Sequence, residues 1–93
     1  MKKSIVWDIK ECYVCATTKG LHRHHIFFGT ANRKISERLG LTVFLCYEHH
    51  EGVTGVHHNR DLDLELKRLA QSIYEEDHTR EDWMQHIGKN YLD

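Results

Sequence analysis

The sequence contains no proline, no long apolar run and no large excess of charge of either sign. It contains 13 Lys and Arg residues and 14 Asp and Glu residues. This balance excludes a strongly basic nucleic-acid coat protein but not a protein with a local basic surface. No run of about 18 apolar residues occurs, which excludes a membrane span. The N-terminus lacks the apolar stretch of a signal peptide. We therefore expect an intracellular protein that makes no membrane contact.

The chain is also short, with 93 residues. A domain of this size buries only about 60–65% of its unfolded surface, and it often depends on a disulfide, a metal ion or a partner chain for stability. Apolar residues make up 40% of the chain and charged residues 29%, which is typical of a globular rather than a disordered protein. No linker or repeat divides it, so we predict one domain over residues 1–93.

The three cysteines are odd in number, which argues against a pure disulfide framework. Cys12 and Cys15 share one tight turn, and Cys46 is followed by His49 at the same two-residue spacing. These ligand types and spacings suit a structural zinc site of three cysteines and one histidine. His50 is an alternative fourth ligand. Two other interpretations remain. Cys12 and Cys15 could form a redox pair, although no βαβ pattern surrounds them, or the three cysteines could be ordinary core residues.

The middle of the chain is predicted to hold two strands with a short helix between them. Residues 21–28 and 41–45 are rich in apolar, aromatic and β-branched residues, which favour strands. Between them we expect a helix that is capped by Thr30 or Asn32 and stopped by Gly40.

The second half of the chain is predicted to be helical. Apolar residues recur there at steps of three and four, which places them on one face of a helix. These residues are Leu62, Leu66, Leu69 and Ile73, and Leu64 and Ala70 widen the face. A last short helix is expected to be capped by Thr79 and to turn Trp83, Met84 and Ile87 inward. The fold class is therefore α+β, and the C-terminal helices over residues 61–93 cover the core or form a homodimer face.

Histidines are concentrated in the middle of the chain, where residues 22–58 hold seven of the nine. If His49 binds zinc, His24, His50 and His57 remain to converge on a second divalent ion, with His25 beside them. An ion next to an unligated histidine suits hydrolysis of a phosphodiester, because the imidazole takes a proton from water while the ion neutralises developing charge. The alternative is a set of ordinary polar-face histidines.

Charge is unevenly distributed along the chain. Residues 16–45 hold five basic residues against one acid, whereas residues 61–93 hold nine acids against four bases. The five basic residues are Lys19, Arg23, Arg33, Lys34 and Arg38. We expect them to contact phosphates with a salt-sensitive affinity and little sequence readout; the alternative is a solvated charged surface.

Residues 12–58 resemble the HNH endonuclease family, which has the ββα-metal fold. The resemblance is carried by Cys12-x-x-Cys15, by Leu21-His22-Arg23-His24-His25-Ile26 and by Val43-Phe44-Leu45-Cys46-x-x-His49-His50. Within the family, these residues are most similar to the small zinc-containing members found in phages and prophages. The resemblance implies a β-hairpin and helix that clamp one divalent ion, a zinc knuckle, and cleavage or nicking of DNA in the cytoplasm of a bacterial host.

The resemblance also implies a role for individual residues. His25 matches the general base, His24 and His50 match ligands of the catalytic ion, and His57 is a further ligand on the helix. Asn32 is the nearest candidate for the family's central asparagine, which braces the hairpin and orients the base. The implied cofactors are a structural Zn²⁺ and a catalytic ion such as Mg²⁺, Mn²⁺ or Ni²⁺.

Two other functions compete with a nuclease. A non-catalytic zinc module would use the same cysteines for stability and the basic residues to bind nucleic acid or a protein. The absence of an asparagine directly before the second predicted strand favours this module. A zinc hydrolase of small phosphate esters shares the chemistry, but no separate sequence feature supports it.

Overall fold

A two-stranded antiparallel hairpin lies at the centre of the fold. The computed structural model describes residues 3–92, in which β1 (Leu21–His25) pairs with β2 (Thr42–Cys46). In the register of this pair, His24 lies opposite Val43. With its helices, the described part of the chain is a small α+β domain. The expected α+β class is thereby confirmed.

The predicted strand limits need correction. The first strand does not continue to residue 28. Ile26 still donates its N–H to the Leu41 carbonyl, but both backbone polar groups of Phe27 bond to the Ser36 hydroxyl of the following helix, which ends the pairing with the second strand. The second strand is displaced by one residue and ends at Cys46. The predicted domain limits at Met1 and Asp93 lie outside the described residues.

Helix α1 (Thr30–Leu39) connects the two strands. Its predicted capping by Thr30 or Asn32 is wrong, because Gly29 is the N-cap and no side chain caps the helix. The predicted stop at Gly40 is confirmed. Gly40 has a left-handed φ of 76°, and a Cβ there would come within 2.7 Å of a backbone oxygen of the N-terminal arm, so only glycine suits the position.

The N-terminal arm packs across the end of the hairpin without forming a strand. Ile5 donates its N–H to the Gly40 carbonyl at 2.9 Å, and the Ser4 hydroxyl bonds to the Thr42 carbonyl. Trp7 packs edge-on against Tyr13, with 5.2 Å between ring centroids. The arm thereby covers one side of a small core.

Three helices follow the hairpin: α2 (Tyr47–His50), α3 (Arg60–Asp77) and α4 (Arg80–His86). The buried face of α3 consists of Leu66, Ala70, Gln71 and Tyr74. Leu66 and Ala70 of the predicted face are fully buried, whereas its other residues are only partly buried, because the buried face is shifted toward Gln71 and Tyr74. No helix within residues 3–92 is long and apolar enough to cross a membrane.

Helix α4 packs on the core through one buried tryptophan, Trp83. Thr79 caps the helix by accepting from the Asp82 N–H at 3.1 Å, as predicted. Trp83 is fully buried and packs against Phe27, and its indole N–H donates to the Lys89 carbonyl. The prediction that Met84 also faces inward is wrong, since Met84 lies on the exposed side of this two-turn helix.

Candidate functional site

The four residues predicted to bind zinc converge on one point. The ligand atoms of Cys12, Cys15, Cys46 and His49 all lie within 4.8 Å of one another. The Cys15 and Cys46 sulfurs are 3.9 Å apart, and His49 Nδ1 lies 3.2 Å from the Cys46 sulfur and 3.6 Å from that of Cys12. Tetrahedral zinc with bonds of about 2.0–2.3 Å separates its ligands by roughly 3.5–3.8 Å. The cluster can therefore hold a metal ion, in a geometry compatible with structural zinc.

Backbone contacts bring the two halves of this cluster together. The Tyr13 N–H donates to the Phe44 carbonyl at 2.9 Å, which fixes the first cysteine turn against β2. Cys46 is the N-cap of α2, so His49 lies one helical turn away on the same side. Burial opposes ionisation of Cys12, but backbone hydrogen bonds, first of all at Cys46, lower the pKa of this thiol to about 6. A thiolate is the form that binds metal.

A second cluster contains only imidazoles. The ligand atoms of His24, His50 and His57 lie within 4.8 Å of one another, with ring centroids 5.0–5.4 Å apart. His24 is only 2% exposed, and its Nε2 has no hydrogen-bond partner among residues 3–92. Burial, aided by His50 and His57, lowers the pKa of His24 to about 3. A neutral imidazole with an unpaired buried nitrogen is the form that ligates metal.

The loop after α2 brings His57 into this second cluster. The expectation that His57 lies on a helix is wrong, because α2 ends at His50 and the chain turns back through Gly52 and Gly55. A Cβ at either glycine would come within 3 Å of backbone atoms. The Val56 N–H then donates to the His49 carbonyl at 2.8 Å. This return explains the long spacing between the two histidines.

His22 is a neighbour of this cluster that the sequence analysis did not assign to it. Alternation along β1 places His22 and His24 on one face of the hairpin. His22 Nδ1 lies 2.9 Å from His50 Nδ1, and His22, His50 and Glu51 form a third group whose ligand atoms are within 4.8 Å of one another. The alternation of histidines on the strand was the available signal.

A cavity of about 410 Å³ opens beside the second cluster. Its lining includes all three clustered histidines together with His25, Arg23 and Arg33. His25 is not part of any candidate ligand group within the described residues. The cavity therefore places an unligated imidazole and two guanidinium groups beside a possible ion site.

His25 contacts a carboxylate that the sequence analysis did not assign. Its Nε2 lies 3.1 Å from Oε2 of Glu37, and Arg23 donates to the same oxygen at 2.9 Å. A second cavity adjoins the first and is lined by His25 and Glu37 among others. Asn32 is exposed on α1 and lines neither of these two cavities. The available signal for Glu37 was that it is the one acid within the basic stretch of residues 16–45.

The five predicted phosphate-binding residues do not all border this site. Arg23 and Arg33 line the cavity, and Lys34 lines the neighbouring one. Lys19 is exposed in the turn before β1 and lines neither cavity. Arg38 lines neither cavity and extends toward α4, with its guanidinium 3.4 Å from His86 Nδ1.

Comparisons of this chain with protein-family models, with curated proteins and with solved structures find no match.

Proposed function

We propose that this protein is a metal-dependent DNA endonuclease of the HNH type, in which β1, β2 and α2 form a ββα-metal core. One observation carries the proposal: His24, His50 and His57 converge beside the unligated His25, in a cavity that also contains arginines. Ligand imidazoles, a separate proton acceptor and phosphate-binding groups are the parts that metal-assisted phosphodiester hydrolysis requires.

The donor sets fit two different metal roles. Three cysteines and one histidine suit a closed structural zinc site, which would hold the cysteine turn against the start of α2. The imidazoles of His24, His50 and His57 suit a divalent transition ion, so Ni²⁺ fits them better than Mg²⁺ or Mn²⁺. When bound, such an ion supplies charge neutralisation at the phosphate and at the leaving oxygen.

His25 is the proposed general base. It takes a proton from a water molecule whose oxygen forms a bond to phosphorus, and the bond between phosphorus and the 3′-oxygen breaks. The electron pair of that bond stays on the 3′-oxygen, which takes a proton from solvent. The products are a 5′-phosphate and a 3′-hydroxyl.

Arg23 and Arg33 are the proposed phosphate contacts at the cavity, with Lys34 beside them. Guanidinium groups suit this role because they donate in a planar, bidentate geometry. Contacts between these side chains and the phosphates of DNA position the duplex without reading its sequence. Lys19 and Arg38 would act outside the cavity. A homodimer through the C-terminal helices and a location in the cytoplasm of a bacterial host remain predictions.

A plasmid-cleavage assay tests the proposal. Zinc-loaded protein supplied with Ni²⁺, Mn²⁺ or Mg²⁺ should nick or linearise supercoiled DNA. His25→Ala should lose this activity while keeping its circular dichroism spectrum and its zinc. His58→Ala is the matched control, because His58 is exposed and belongs to none of the three ligand groups. Full activity of His25→Ala would remove His25 from the base role, and an inactive wild type would contradict the nuclease.

The second candidate function is a non-catalytic zinc module. It is favoured by the cysteine cluster, which is a complete set of four ligands without any contribution from the other histidines. Such a module would bind nucleic acid or a protein through its basic residues. It predicts one zinc per chain and no second divalent ion.

A further inference from the structure

We propose that Glu37 is a positioning residue that holds the imidazole of His25 and the guanidinium of Arg23 toward the substrate. The kinetic part of this inference rests on the proposed nuclease function. Its structural part concerns the His25 ring alone and is measured without catalysis.

One carboxylate oxygen of Glu37 contacts the side chains of both Arg23 and His25. Arg23 donates to Oε2 through Nη2 at 2.9 Å and through Nε at 3.3 Å, and His25 Nε2 lies 3.1 Å from the same atom. The hydrogen bond from Arg23 is the main reason that the pKa of Glu37 is lowered, and the bond to His25 lowers it further. Glu37 is therefore ionised at neutral pH and acts only as an acceptor.

The fold holds this carboxylate in place from both sides. Alternation along β1 puts Arg23 and His25 on one face of the hairpin, opposite to the face of His24. Helix α1 is joined to the end of β1 by Ser36, whose hydroxyl bonds to both backbone polar groups of Phe27. Glu37 follows Ser36 directly, so it is presented to the Arg23 face.

The contact decides which ring nitrogen of His25 accepts a proton. An ionised Glu37 can only accept, so a neutral His25 must donate its Nε2–H and keep the lone pair on Nδ1. In the proposed reaction the water proton then moves to Nδ1, and the water oxygen bonds to phosphorus as the bond to the 3′-oxygen breaks. Glu37 neither gains nor loses a proton. Its charge lies beside the imidazolium that forms.

A purely structural ion pair would look the same in the static geometry, so the test needs a readout specific to the ring. Long-range ¹H–¹⁵N NMR of the imidazoles, on zinc-loaded protein without a second ion, reports the tautomer. Wild type should hold His25 as the Nε2–H tautomer. Glu37→Gln should keep it, because the amide oxygen still accepts, whereas Glu37→Ala should give a mixture of tautomers.

Kinetics on a short oligonucleotide duplex provide the second readout. Glu37→Ala should lower kcat roughly 10–100-fold, by analogy with the loss of a hydrogen-bonded partner that orients a metal-ligating histidine. Glu37→Gln should fall between this variant and wild type. Arg23→Gln should raise KM while leaving the tautomer of His25 unchanged, which separates the two partners of Glu37. Glu76→Gln, at an exposed position of α3, is the charge-matched control.

The outcomes separate this inference from the proposed function. A wild-type tautomer and a wild-type kcat in Glu37→Ala would overturn the inference while leaving the nuclease intact. A Glu37-dependent tautomer in a wild-type protein that cuts no DNA would support the positioning contact and contradict the nuclease.

Discussion

Ser36 and Phe27 are joined by two buried hydrogen bonds. The Ser36 hydroxyl donates to the Phe27 carbonyl oxygen at 2.8 Å and accepts from the Phe27 N–H at 3.0 Å. This pair satisfies both backbone groups of Phe27 where the chain leaves β1. It also sets the position of α1 relative to the hairpin, and with it the position of Glu37.

Removal of this hydroxyl should destabilise the domain. Ser36→Ala leaves two backbone groups without their partner, and one unsatisfied buried group costs about 1–3 kcal/mol. We expect a loss of at least that size in the free energy of unfolding by urea denaturation. Ser72→Ala, at an exposed position of α3, should change it by less than about 0.5 kcal/mol. Equal stability of the two variants would show that Ser36 does not join α1 to the hairpin.

Metal at the cysteine cluster should support the folded state. The protein purified with zinc should contain one tightly bound zinc per chain, and a chelator should lower its Tm, because binding free energy at such a site contributes to folding. His49→Ala should lose this zinc, as measured by atomic emission. His86→Ala should retain it, since His86 lies in α4 outside the cluster. Retention of stoichiometric zinc by His49→Ala would contradict the assigned ligand.

The core of the C-terminal half should depend on Trp83 rather than on its neighbour. Trp83→Ala removes a fully buried indole that packs on Phe27 and Tyr74, at an expected cost of about 3–5 kcal/mol. Met84→Ala should cost much less, because the Met84 side chain is 38% exposed whereas Trp83 is fully buried. Thermal and urea denaturation measure both. A larger loss in Met84→Ala would contradict the orientation of α4.

Arg33 should contribute to DNA binding through one phosphate contact that carries no sequence preference. Arg33→Gln should reduce the salt dependence of affinity, the slope of log K against log salt, by about 0.9 for the loss of one phosphate contact. Fluorescence anisotropy over a salt series measures this slope. Arg68→Gln, at an exposed position of α3, is the matched control. An unchanged slope in Arg33→Gln would exclude Arg33 from the phosphate contacts.

Local sequence patterns predicted the parts that depend on short spacing. Paired cysteine and histidine spacings identified the four residues of the first cluster, and strand composition located both strands to within a few residues. Gly40 and Thr79 were placed correctly because their roles depend only on neighbouring residues. These features need no knowledge of tertiary packing.

Features that depend on distant contacts escaped prediction. Glu37 meets His25 only because α1 packs back on the hairpin. Gln71 is buried because its amide bonds to Asn90 and to the Tyr91 N–H of the returning C-terminal segment, so the buried face of α3 rotates toward it. The spacing of apolar residues within one helix or strand carries no information about contacts with residues far away in the sequence.

We expect the imidazoles from β1, from α2 and from the following loop to hold one divalent ion beside His25. Crystals of the zinc-loaded protein grown with Ni²⁺ allow this ion to be located by anomalous diffraction at the nickel edge. A nickel peak should lie within bonding distance of His24, His50 and His57, and it should be lost in crystals of His57→Ala. A nickel-containing crystal with no peak among these three residues, or with a peak held instead by His22 and Glu51, would show that the three imidazoles do not form the ion site.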